Sequence, residues 1–204
     1  MKLYYMPGAC SLASHIILEW IGQPYETHKL SRDELKQPAY LKINPLGAVP
    51  ALVDGNTTLT QNAAILEYLA EHAPQLKLTG DGSAAARAEA RRWLGFINSD
   101  VHRTFSLLFG AQRYLADEPA QEQLRASAAA QLRTLFGHLD TQLAGKPYLT
   151  GAAPSIADPY LYVVLRWAHG KKIDLSGMDN LAAFFQRMEA DPGVQAALKA
   201  EGLQ

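Results

Sequence analysis

Strand signals and helix signals do not mix in this chain. Every run that reads as β lies within the first 60 residues, and after Ser83 only helical periodicity remains. Leu3, Tyr4 and Tyr5 are strand formers, and Pro7-Gly8 turns the chain after them. Leu12, Ile16, Ile17 and Trp20 then recur at the spacing of one helix face, with Gly22 as the expected stop. Tyr25 to Leu30 reads as a second strand, and a strand-helix-strand order implies a right-handed parallel crossover. A short helix is expected around Ala39 to Ile43. Ala51 to Val53 and Thr57 to Leu59 read as two strands joined by an Asp54-Gly55 hairpin turn, and a helix follows over Ala63 to Glu71. The first part is thus a small α/β unit, β-α-β followed by β-β-α.

Pro74 to Ser83 carries Pro, Gly and no periodicity, which marks a linker and divides the chain into 1–80 and 84–204. Beyond it, Ala90, Leu94, Ile97, Val101, Phe105 and Leu108 form a helical stripe over residues 84 to 109. A second stripe of Gly95, Ser99, His102 and Ser106 runs beside it, so one face packs and its neighbour faces a cleft. Leu124, Ala128, Leu132, Leu135, Leu139 and Leu143 repeat the pattern over 118 to 143. Ser155-Ile156-Ala157-Asp158 reads as a capping box with Asp in place of Glu, opening a nearly all-apolar helix over Tyr160 to Ala168. Leu181 to Met188 reads as the last helix, and Asp191-Pro192-Gly193 as a turn after it.

Composition removes several classes of function. A net charge of −1 gives no footprint for nucleic acid or an anionic membrane. No apolar run approaches the ~20 residues of a spanning helix, and the N-terminus lacks a signal-peptide pattern, so a cytoplasmic protein is expected. A single Cys excludes an internal disulfide and a Cys-x-x-Cys pair, and six scattered His offer no metal-ligand spacing.

The chemistry-bearing residues sit at element ends. Cys10 falls at a strand-loop-helix junction, where free N–H groups and the helix dipole lower a thiol's pKa; the competing reading is an inert buried thiol. Val49-Pro50 precedes a strand. A cis bond there would turn both backbone groups of Val49 to a ligand, whereas an isolated X-Pro bond is ordinarily trans. Thr60 or Asn62 can cap the following helix, and Gln61 and Asn62 place donors and acceptors at its N-terminus.

Five segments carry a resemblance in order along the whole chain: MKLYYMPGACSL, INPLGAVPALV, SDVHRTFSLLF, SIADPYL and LKAEGL. They resemble the bacterial beta-class glutathione transferases. The resemblance implies a thioredoxin-like α/β N-terminal domain, which binds glutathione, and an all-helical C-terminal domain, which lines the electrophile site. Cys10 would hold the glutathione sulfur, by hydrogen bond or as a mixed disulfide. The Val49 backbone would pair with the cysteinyl part, with Pro50 cis, while Gln61 and Asn62 would contact the γ-glutamyl group. His102 would reach the sulfur region, and Ser99 and Asp100 would serve through the partner of a homodimer. Ser11 is a further candidate donor to the sulfur. Tyr5, Ser106 and Trp167 are candidates for the electrophile pocket, with core packing the competing reading for Tyr5 and Trp167. Ser155 and Asp158 would be structural.

Two departures from that pattern stand out. Gln61 occupies a position that is commonly acidic, and Asn62 one that is usually small. The implied reaction adds reduced glutathione, a co-substrate and not a bound cofactor, to small hydrophobic electrophiles. The alternatives are thiol-disulfide or peroxidase chemistry through a Cys10 mixed disulfide, and a non-catalytic binding module.

Overall fold

The computed structural model describes residues 1–204. Four short strands, β1 (Lys2–Tyr5), β2 (Glu26–Lys29), β3 (Ala51–Asp54) and β4 (Thr57–Thr60), form one sheet in the order β2-β1-β3-β4. β1 runs parallel to β2 and antiparallel to β3, and β3 pairs antiparallel with β4. Asp54 pairs with Thr57, so the hairpin turn is Gly55-Asn56, one residue beyond the expected position. Three helices belong to this part: α1 (Ser11–Ile21), the one-turn α2 (Pro38–Leu41) and α3 (Asn62–His72). Gly22 closes α1 at φ 69°, the left-handed conformation that glycine adopts freely.

The rest is helical: α4 (Ala84–Phe96), α5 (His102–Gly110), α6 (Glu118–Leu143), α7 (Asp158–Gly170), α8 (Asp179–Glu189) and α9 (Pro192–Glu201). Ser83 caps α4, its side chain accepting from the Ala86 N–H at 3.1 Å. The single helix expected over 84 to 109 is interrupted by a π-helical turn, Ile97–Val101, immediately before His102. The extra residue of such a turn re-aims the side chains after it, and π turns concentrate at functional sites. The Asp191-Pro192-Gly193 turn is corrected to a helix start. Asp191 Oδ1 accepts from the Val194 N–H at 3.0 Å and Pro192 takes the first helical position, where its missing N–H costs nothing.

α1 is the central element. It packs against β1, α3, α7 and α9, with Leu12, Ile16 and Ile17 wholly buried. One hydrophobic cluster of 40 buried residues therefore runs through both parts without a gap. A backbone bond from the Ile156 N–H to the Leu78 carbonyl, 2.9 Å long, ties the linker to the start of α7. Asp158 organises that start. Its carboxylate accepts from the Leu149 N–H (2.9 Å), the Ser155 N–H (2.6 Å) and the Ser155 hydroxyl (2.7 Å), which is the reach-back half of a capping box. Complete burial raises the Asp158 pKa to about 6 despite those donors. No helix is long and apolar enough to cross a membrane.

Candidate active site

The loop between β1 and α1 is held on every side. Gly8 sits at φ 71°, where a side chain would be strained. Its N–H donates to Glu201 Oε2 on α9 at 2.9 Å, and its carbonyl accepts from Trp167 Nε1 on α7 at 2.8 Å. Glu201 Oε1 lies 3.0 Å from His15 Nδ1, with both side chains fully buried. Ser11 is also fully buried, and its hydroxyl lies 3.4 Å from both the N–H and the carbonyl of Met6. That corrects its expected role: the hydroxyl closes the loop and is not presented to a ligand.

Cys10 follows this loop at the foot of α1 and donates its thiol to the Val49 carbonyl at 3.4 Å. Its expected low pKa is overturned. Desolvation raises it to about 12, outweighing the Cys10 and Ser11 N–H groups that pull the other way. Desolvation outweighs the helix N-terminus here because no positively charged side chain lies beside the sulfur, although Cys10 is only half-buried.

Val49 belongs to a pinned loop. The Val49-Pro50 bond is cis, and the Ala48 carbonyl accepts from both Tyr40 Oη and Asn44 Nδ2 at 2.6 Å. Gly47 is required there, since a Cβ would come within 2.8 Å of the Leu35 carbonyl oxygen. The Val49 N–H donates to no acceptor within the chain. Gln61 stands exposed at φ 70° directly before α3. Asn62 behaves differently from the expectation. Its side chain is buried, with Oδ1 accepting from Ser14 Oγ at 2.7 Å and Nδ2 donating to the Cys10 carbonyl at 3.1 Å. Its amide therefore ties α3 to α1 and is not free for a ligand, while the unpaired N–H groups of the first turn of α3 remain. Cys10, Val49 and the start of α3 thus converge at one end of the sheet.

His102 opens α5 beside this point. Its Nδ1 meets the Tyr160 hydroxyl, which donates onward to Asn98 Oδ1 at 3.2 Å. The pair fixes the ring of His102 against Tyr160 and Asn98. Burial lowers the His102 pKa to about 4, so the imidazole is neutral at pH 7. Its ring packs edge-on against Trp167 at 4.9 Å, and Trp167 in turn meets Phe105 at 5.4 Å and Phe109 at 5.6 Å. Together they form an apolar wall above the loop. Ser106 returns its hydroxyl to the His102 carbonyl at 3.3 Å. Ser99 and Asp100 lie exposed on the π turn and bond each other at 2.6 Å. Tyr5 does not reach the wall: it is buried in the core with its ring 5.4 Å from His15. Phe109 is the residue that sequence reasoning missed. It lies three positions past Ser106 and continues the stripe of Ser99, His102 and Ser106.

A four-stranded mixed sheet with a cis-proline loop facing a cysteine, followed by a helical half, is a thioredoxin-like fold joined to a helical domain. Residues 1–71 match the family model for the glutathione S-transferase N-terminal domain, and residues 118–194 match that for the C-terminal domain. The chain belongs to the glutathione S-transferase family. It is 51% identical over 203 residues to glutathione S-transferase GST-4.5 of Xanthomonas campestris pv. campestris, with 100% of each chain covered. It superimposes on a glutathione S-transferase from Xylella fastidiosa with a TM-score of 0.96 at 52% identity, covering 100% of this chain and 99% of that one. A sphingomonad glutathione S-transferase complexed with glutathione matches at TM-score 0.88 and 39% identity, and a bacterial beta-class enzyme of Sphingomonas chungbukensis at 0.88 and 38%, each with 100% of both chains covered.

Proposed function

We propose that this chain is a beta-class glutathione transferase that adds reduced glutathione to small hydrophobic electrophiles. One observation carries the reading: the Cys10 thiol bonds the Val49 carbonyl, and the Cys10 carbonyl is bonded by Asn62 at the N-terminus of α3, so the three elements meet at Cys10. Val49 offers a free N–H and a carbonyl, the pair needed for strand-like pairing with the cysteinyl part of glutathione. Gln61 and the open N–H groups of α3 suit the γ-glutamyl carboxylate. The Trp167–Phe109 wall suits an apolar acceptor.

The roles of the side chains follow from their protonation states. Cys10 stays a thiol and donates a hydrogen bond to the glutathione sulfur, favouring its anionic form. Neutral His102 offers its ring to a hydrogen bond with the glutathione sulfur; with its pKa held near 4 it serves as a hydrogen-bonding group and not as a strong base. Binding beside the electrophile supplies the remaining acceleration through proximity. A protonated Cys10 weighs against the disulfide-cycling alternative, which needs a thiolate. The side-chain bonds of Asn62 account for its presence without invoking loss of catalysis.

The boundaries 1–80 and 84–204 fit the capped start of α4. The proposed assembly is a cytoplasmic bacterial homodimer, in which the exposed Ser99 and Asp100 of one chain complete the site of the other. Such an enzyme would serve detoxification.

Calorimetric titration with reduced glutathione tests the reading. Saturable binding at one site per chain, in the micromolar to low millimolar range, is expected, together with turnover of an aryl halide. Absence of heat at two temperatures would overturn it.

A further inference from the structure

The buried side-chain nitrogens and oxygens of this chain find partners with one exception: His15 Nε2 is fully buried and bonds nothing. The other ring nitrogen is committed. His15 Nδ1 lies 3.0 Å from Glu201 Oε1, while Glu201 Oε2 accepts from the Gly8 N–H. A carboxylate accepts, so the proton of the neutral imidazole sits on Nδ1 and Nε2 presents a lone pair. A buried acceptor without a donor carries an uncompensated desolvation cost, which a donating ligand would relieve.

His15 lines a cavity of about 520 Å³ between α1, the segment leading into β2 and the end of α9. That volume falls within the range of roughly 300–1,000 Å³ typical of ligand sites. Nδ1 faces inward to Glu201, which leaves the Nε2 edge of the ring toward the cavity. Leu18 and Glu19 stand three and four positions along α1 from His15 and share its face. Tyr25 closes the opposite side, its ring edge-on to His15 at 5.8 Å. The Tyr25 hydroxyl donates to one oxygen of Glu19, and the other oxygen has no partner. No Lys or Arg lines the cavity. Burial first, and then the carboxylates of Glu19 and Glu201, raise the Tyr25 pKa, so both negative charges are felt at this spot.

We infer that this cavity binds a small organic ammonium ion, its N–H groups shared between His15 Nε2 and the free oxygen of Glu19 and its apolar body against Leu18, Pro24 and Ala200. A lone pair beside an unpaired carboxylate oxygen calls for a donor that carries positive charge. An anion would meet Glu19 with no cation to offset it, and a bare metal ion would leave the apolar lining unfilled. The cavity shares no lining residue with the Cys10 cleft and does not depend on the proposed reaction.

The test uses the full chain at pH 8 with benzylammonium as the probe, read by calorimetry and by nitrogen NMR of the histidine rings. One ion per chain is expected to bind, with the His15 Nε2 resonance shifting as the site fills. Added salt should weaken binding, and benzyl alcohol, which keeps the ring and lacks the charge, should bind about fivefold more weakly. Glu19→Gln should weaken benzylammonium about fivefold, and Ala200→Trp should remove binding by filling the cavity. Both variants should unfold at the wild-type temperature; if Ala200→Trp does not fold, Glu19→Gln still decides the matter. A hydrated cavity only, seen as no heat and an unmoved His15 resonance, would overturn the inference. So would a His15 ring protonated on both nitrogens at pH 8, or equal binding by wild type and Glu19→Gln.

Discussion

Glu201 and Trp167, from two different helices, hold the two backbone groups of one glycine: the carboxylate takes the Gly8 N–H at 2.9 Å and the indole gives its proton to the Gly8 carbonyl at 2.8 Å. Gly8 lies two residues before Cys10, so the helical half of the molecule fixes where the thiol sits.

Glu201→Ala should cost about 3 kcal/mol in urea denaturation, because it leaves buried His15 Nδ1 and the half-buried Gly8 N–H unpaired. Glu201→Gln keeps an acceptor for Gly8 and should cost only about 1 kcal/mol. Equal losses in the two variants would show that Glu201 acts by packing and not through these bonds.

Cys10 should react slowly. With a pKa of about 12 its thiolate is scarce at pH 8, and iodoacetamide should label the free protein more slowly than a simple thiol at the same pH. Cys10→Ala should abolish the mixed disulfide with glutathione while leaving conjugation within about tenfold of wild type, the loss of one hydrogen-bond donor. Fast labelling at neutral pH would reverse the assignment of Cys10 as donor.

His102→Ala should lower kcat by roughly tenfold, the loss of one hydrogen bond to the sulfur, with a much smaller effect on glutathione affinity. Because burial holds its pKa near 4, His102 is already neutral at pH 5, and the wild-type rate should show no acid limb from this group between pH 5 and 8. An acid limb near pH 6.5 that disappears in His102→Gln would refute the neutral assignment.

Asp158 makes stability depend on pH in a definite direction. Its folded pKa, about 6, lies above the ordinary 3.8. Between those values the folded state holds the proton that the unfolded state has lost, so stability falls as pH rises from about 4 to 6. The two-unit difference corresponds to ~3 kcal/mol. Comparing the pH profiles of wild type and Asp158→Asn by urea denaturation isolates this group. The wild type should lose more stability than the variant across that window; parallel profiles would rule the effect out.

Much of this was legible in the sequence because periodicity and turn chemistry are local. The β-α-β start, the hairpin, the helical stripe from Ala90 to Leu108 and the capping residues at Ser155 and Asp158 all follow from neighbours in the chain. Burial of single polar atoms is not local. Nothing adjacent to Asn62 reveals that its amide bonds Ser14 and the Cys10 carbonyl, 48 and 52 residues away. The two readings of Cys10 stay open in sequence for the same reason: the helix N-terminus is visible there, and the desolvation that raises the thiol's pKa is not. Asp191-Pro192 shows a different limit, since Asp before Pro serves equally as a turn and as a helix cap. Phe109 was within reach, one step further along a stripe already recognised.

The bond from Gly8 to Glu201 spans 193 residues. A ribosome therefore builds the cysteine loop long before it builds the carboxylate that secures it. The Gly8 N–H gains its carboxylate partner only after α9 has been translated and docked. Truncations that remove α9 should yield chains whose cysteine loop keeps its Trp167 anchor and loses its Glu201 anchor.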